Sequence, residues 1–127
     1  MQTVCLVDDN EDILSIFSLY FRRKGYHVIT AGSGLDCIDM TGAYMPELIL
    51  LDVMMEPMDG WQTLVALKRN PKTCHIPVIM VSGKKPTPDD VHLYGKFYEQ
   101  FIMKPVSFPV LFEVVSSVLS PQAIRIK

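Results

Sequence analysis

The chain has 127 residues, 49% hydrophobic and 20% charged, enough for one domain with a real core. A formal net charge of −2 gives no electrostatic case for binding nucleic acid or an anionic membrane. No apolar run approaches the roughly 18 residues of a membrane span, and Met1-Gln2-Thr3 lacks the basic start of a signal peptide.

Thr3–Val7 (TVCLV) reads as a short apolar strand ending on Asp8-Asp9. Asn10 can cap the next helix, with Glu11 and Asp12 in its first turn and Ile13, Ile16, Phe17, Tyr20 and Phe21 at helical spacing. Arg22, Arg23 and Lys24 suit the carbonyl end, and Gly25 closes it. Residues 26–30 (YHVIT) form a second strand, less apolar and so expected at an edge. Ser33 and Asp36 read as a capping box for a helix through about Thr41.

The stretch over residues 47–60 (ELILLDVMMEPMDG) organises the rest. Leu48-Ile49-Leu50-Leu51 has no alternation, which fits a strand covered on both faces, and it ends on Asp52. A loop closed by Asp59-Gly60 leads to an amphipathic helix carrying Trp61, Leu64, Val65 and Leu67, stopped by Asn70-Pro71. Residues 76–81 (IPVIMV) predict a fourth strand, followed by Ser82-Gly83. Thr87-Pro88-Asp89-Asp90 starts a helix that Gly95 stops after about two turns. Residues 101–103 predict a fifth strand ending on Lys104-Pro105, and Ser107 caps a last helix with Leu111, Val114, Val115, Val118 and Leu119.

Strand and helix thus alternate throughout, which calls for an α/β fold: a parallel sheet, helices on both faces and right-handed crossovers. In such a sheet every strand ends at the same edge, where open α/β folds keep their sites. Asp8, Asp9, Asp52, Ser82 and Lys104 all arrive there. Acids crowded together need a cation, and hard oxygen donors without histidine or cysteine suit Mg²⁺ rather than zinc. With Lys104 and Ser82 beside it, the edge is built to hold a phosphoryl group, and a carboxylate such as Asp52 can accept one.

Three rivals share this fold or chemistry. A flavin or nucleotide binder needs a glycine-rich or hydroxyl-rich loop after the first strand, but Asp8-Asp9-Asn10-Glu11-Asp12 would repel bare phosphates. An aspartate-nucleophile phosphohydrolase needs a DxD pattern and a cap, and neither is present. A module that is never phosphorylated would have no need of the full acidic set and Lys104.

The ordered set of Asp8-Asp9, DVMMEPMDG around Asp52, Ser82-Gly83 and Lys104-Pro105 resembles a response-regulator receiver domain, similar to the single-domain chemotaxis regulator. The resemblance implies a flavodoxin-like five-stranded sheet of order 2-1-3-4-5. It implies that Asp52 takes a phosphoryl group from a histidine kinase or phosphotransfer protein and that the chain is a switch rather than a turnover enzyme. Mg²⁺ would be held by Asp9, Asp52 and the Met54 carbonyl, with Asp8 acting mainly through water. Lys104 would pair with phosphoryl oxygens, its bond to Pro105 would be cis, and Ser82 and Phe101 would be the switch pair. A downstream target protein is implied without being identified, and pairing of two copies is compatible with the family.

Three positions depart from the family pattern. Glu56 stands where proline is usual, Phe101 stands where tyrosine is common, and residues 96–100 (KFYEQ) form a longer aromatic segment on the face used for partners. The chain stops soon after its last helix, at Lys127, so the expectation is one receiver domain over 1–127 with no output domain, acting alone or as part of a larger regulator or hybrid kinase. Cys5, Cys37 and Cys74 are scattered, which favours reduced thiols in a cytoplasm, each read as a small buried apolar residue. His27, His75 and His92 are not spaced as ligands, and the eight methionines read as gap fillers.

Overall fold

The computed structural model describes residues 1–120. Its elements are β1 (Thr3–Val7), α1 (Glu11–Arg23), β2 (His27–Ala31), α2 (Gly34–Tyr44), β3 (Leu48–Asp52), α3 (Gly60–Arg69), β4 (Val78–Ser82), α4 (Pro88–Tyr94), β5 (Gln100–Met103) and α5 (Phe108–Leu119). The five strands are parallel in the order β2-β1-β3-β4-β5, the flavodoxin-like arrangement, with β2 at an edge as expected.

The unbroken apolar runs are explained by a core on each face. Cys5, Val7, Ile49, Leu51, Val78 and Met80 join one cluster with Cys37, Leu64 and Leu67 of α2 and α3. Val4, Leu6, Leu48, Leu50, Ile79 and Val81 join the other with Phe21, Leu111 and Val115 of α1 and α5. Neighbouring strand residues point to opposite faces, so a strand buried on both must be apolar at every position. Burying each of these large side chains contributes roughly 1.5–3 kcal/mol.

Several boundaries move, each for a local reason. β4 starts at Val78 rather than 76, because Pro77 has no N–H for the ladder, and Ser82 becomes the last strand residue instead of the first loop residue. α2 runs through Gly42 to Tyr44 and closes on Met45, whose φ is 48° and whose N–H donates to Thr41 O. Gly95 ends α4 after about two turns as expected, in the right-handed region at φ −57°, and the chain leaves by a turn in which Phe97 N–H donates to Tyr94 O. Gly25 does take the left-handed region, at φ 96°.

In residues 96–100, Phe97 and Tyr98 are half-buried against the core cluster of α2 and α3. Cys5 and Cys37 are fully buried, but Cys74 is exposed. Lys68 was unremarkable in the sequence. Its Nζ donates to the carbonyls of Cys74 and Ile76 at 3.0 and 2.6 Å, tying α3 to the segment that enters β4. Burial pushes the Lys68 ammonium down from its usual range.

Candidate functional site

The register of the sheet decides which side chains meet. Val7 pairs with Leu51, so Asp8 and Asp52 leave their strands side by side. Asp52 pairs with Val81 and Ser82 with Met103, which puts Ser82 and Lys104 on the same rim. Backbone bonds hold this edge: Asp8 N–H donates to Ala31 O, Val53 N–H to Val81 O and Lys104 N–H to Ser82 O.

Asp8, Asp9 and Asp52 offer carboxylate oxygens that lie within 4.8 Å of one another. Asp8 and Asp52 are buried, and Asp9 is open to solvent. Asp8 accepts from Asn10 N–H at 3.0 Å, and Asn10 in turn caps α1 through Asp12 and Ile13. Lys104 Nζ donates to Asp8 Oδ2 at 3.0 Å and lies 3.5 Å from Asp52 Oδ1. Lys104–Pro105 is cis.

Burial pushes the Asp52 carboxyl above its ordinary range, and the charge of Asp8 adds to the effect. The Lys104 charge and the Met54 N–H pull the other way without winning. For Lys104, burial acts downward, but the bond to Asp8 and the charges of Asp52 and Asp8 carry the ammonium above its ordinary range. One ammonium shared between two buried acids leaves negative charge uncompensated. The donor set, all oxygen and partly open to water, fits a hexacoordinate Mg²⁺ that keeps several waters.

The loop after Asp52 is shaped by one carbonyl. Val53 O accepts from both Met55 N–H and Gly60 N–H, folding 53–60 back on itself. Asp59 then caps α3 in a reciprocal box with Gln62. A Cβ at Gly60 would clash with the Asp52 carbonyl oxygen and stand 2.7 Å from Val53 Cα. Backbone atoms cannot yield as a side chain can, so Gly60→Ala should cost about 3 kcal/mol. Urea unfolding reads this, and an unchanged midpoint would show that the loop adapts.

Beside the acids lies a cavity of about 450 Å³, lined among others by Asp9, Met54, Ser82, Lys84, Trp61 and Phe101. Ser82 is fully buried, and its Oγ accepts from Lys84 N–H at 3.2 Å. Met54 is 58% exposed at the mouth. Phe101 is half-buried, with its ring 6.1 Å from Trp61. Glu56 is exposed, lines the same cavity and is joined to Pro57 by a cis bond.

Two features here were not foreseen: the Glu56–Pro57 isomer and the ring stack around Trp61. The indole stacks on Tyr94 at 4.7 Å and 8° and also meets Tyr98 at 5.9 Å. The only available signal was the cluster of aromatic residues at 94, 97, 98 and 101. Because Trp61 directly follows Gly60, any change in the 53–60 loop reaches the stack. Titrating Mg²⁺ should therefore change the indole emission and saturate; a flat trace would count against this coupling.

The family model for the response regulator receiver domain matches residues 4–116. The polar-differentiation response regulator DivK of Brucella ovis is 31% identical over 118 residues, covering 93% of this chain and 96% of that protein. The N-terminal domain of a response regulator receiver protein from Methanoculleus marisnigri is 42% identical, with a TM-score of 0.78 over 94% of this chain and 98% of that one. The response regulator TrrA of Thermotoga maritima, solved with Mg²⁺ and BeF, is 21% identical and shares the fold at a TM-score of 0.83, over 94% of this chain and 100% of that one. A family match over nearly the whole sheet, together with these relatives, means that the chain belongs to the response regulator receiver domains of two-component signalling.

Proposed function

We propose that Asp52 accepts a phosphoryl group from the phosphohistidine of a histidine kinase or phosphotransfer protein, and that the phosphorylated chain rearranges to alter its binding to a downstream target. The observation that carries this reading is the buried pair Asp8 and Asp52 sharing Lys104 at 3.0 and 3.5 Å beside the open carboxylate of Asp9.

An Asp52 carboxylate oxygen attacks phosphorus, and the bond to the donor breaks. Asp8 and Asp9 hold the site together with the Met54 carbonyl, two residues past the acceptor. Mg²⁺, when bound, neutralises phosphoryl oxygens and the crowded acids. Lys104 leaves Asp8 and Asp52 to pair with a phosphoryl oxygen. Ser82 Oγ turns from Lys84 N–H toward the phosphoryl group, and the Phe101 ring follows the space it vacates. Phenylalanine has no hydroxyl, so the outward state of this ring gains no hydrogen bond from a partner. The three free cysteines support a reducing, cytoplasmic setting.

Incubation with acetyl phosphate should add one phosphate to the intact mass in Mg²⁺ and none in chelator, with the increment on the peptide that contains Asp52. Full uptake in chelator, or an increment on another peptide, would sink the reading.

A further inference from the structure

We propose that the cavity beside Asp52 makes the chain selective for small-molecule acyl phosphates with an aromatic acyl group as direct phosphoryl donors. The inference rests on Asp52 being the phosphoacceptor and adds the donor class that this chain's own side chains would choose.

The cavity is continuous with the reacting position, because Asp9 and Ser82 belong to both. Its volume of about 450 Å³ lies in the range of small-ligand sites. A two-carbon acyl group would leave most of it to water. The accessible apolar wall consists of Met54, 58% exposed, and the half-buried Phe101, with Val53, Met55 and Trp61 behind them. A thioether adapts to a flat ring and is attracted to its edge.

The charged groups of the lining are of both signs. Asp59 and Asp90 are committed to capping, accepting from Gln62 N–H and Thr87 N–H at 2.9 Å. Asp9 belongs to the acidic triad. Glu56 remains against Lys84 and Lys85, both exposed, and among the described residues neither of these lysines is in an ion pair. Capping leaves the carboxylate charges in place, so the lining carries four acids against two lysines, and Lys84 and Lys85 are the cations of that lining.

The step balances without any further reactant. An Asp52 oxygen forms a bond to phosphorus, the phosphorus–oxygen bond to the acyl group breaks, and the electron pair leaves on the aromatic carboxylate. No proton moves. Negative charge grows on the leaving oxygen during the step, and Lys84 or Lys85 of the lining, on reaching that oxygen, would stabilise the transition state more than the ground state.

The test compares benzoyl phosphate with acetyl phosphate, both with Mg²⁺, by initial rate of mass gain at limiting donor. The native chain should favour benzoyl phosphate by about tenfold, the size of effect a partly buried apolar group brings. Met54→Ala and Lys84→Ala should each lower the ratio of the two rates, and a ratio cancels the intrinsic reactivity of the donors. Independently of labelling, benzoate ring protons should receive saturation from the metal-free protein, less so from Met54→Ala. Labelling by acetyl phosphate with no preference for benzoyl phosphate, a ratio unchanged in both variants, or no saturation transfer overturns the inference while leaving Asp52 as acceptor. Failure of both donors to label Asp52 overturns the acceptor reading, and this inference with it.

Discussion

Asp52→Asn should reduce phosphate uptake to background and, in chelator, raise the melting temperature. Asparagine keeps the size of aspartate, and the backbone bond from Val53 to Val81 that seats this position is untouched. What changes is charge. Asp52 is 5% exposed, faces Asp8 and shares Lys104 with it, and burial already disfavours its ionised form. Removing that charge should relieve the metal-free protein by about 1 kcal/mol or roughly 4 °C in a domain of this size. It would also remove the proposed nucleophile and one proposed metal ligand together. Mass measurement and thermal melts read the two halves separately. Uptake at the native rate would end the role of Asp52, and a lower melting temperature would show that its charge is well compensated by Lys104.

Met54→Asn should shorten the life of the phosphorylated chain by about tenfold, less than the roughly 10²–10⁴ of a full acid–base group because an amide orients water without taking its proton. Loss of an acyl phosphate requires a water held in line with phosphorus. Met54 and Lys84 line the cavity beside the site together with Asp9 and Ser82. A thioether gives such a water no useful hydrogen bond, and a charged lysine cannot take its proton. The native acyl phosphate should therefore persist. Met54 is more than half exposed, so the substitution leaves the core unaltered. Decay of the mass increment after donor removal reads the rate. Rapid loss from the native chain, or an unchanged rate in Met54→Asn, would show that water is positioned by something else.

The parts of the molecule that follow from chain-local chemistry were legible in the sequence. Asn10, Ser33, Thr87 and Ser107 cap the helices they were expected to cap, because a side-chain oxygen needs only a backbone N–H two or three residues ahead. The meeting of Asp8, Asp9, Asp52, Ser82 and Lys104 was legible because parallel strands share a carboxyl edge, and the sheet order follows the family. What could not be read depends on distant partners. Trp61 was placed in the first turn of its helix, but its stack on Tyr94 joins residues 33 positions apart. Phe97 and Tyr98 turn inward because the adjoining core accepts them, which no local pattern announces. Gly95 stops α4 where expected, but its right-handed conformation depends on the turn that follows it.

The arrangement of the thiols has a practical consequence. Cys5 of β1 and Cys37 of α2 are fully enclosed in the core between sheet and helices, whereas Cys74 lies in the open segment that enters β4, at the end of the sheet away from the acids. A thiol reagent will meet one group on the folded chain and the other two only when the core opens. The native protein thus accepts a single spectroscopic tag far from the acidic site around Asp52 without any engineering. The rate at which the second and third thiols react becomes a clock for opening of the whole domain, with Cys74 as the internal standard for reagent activity.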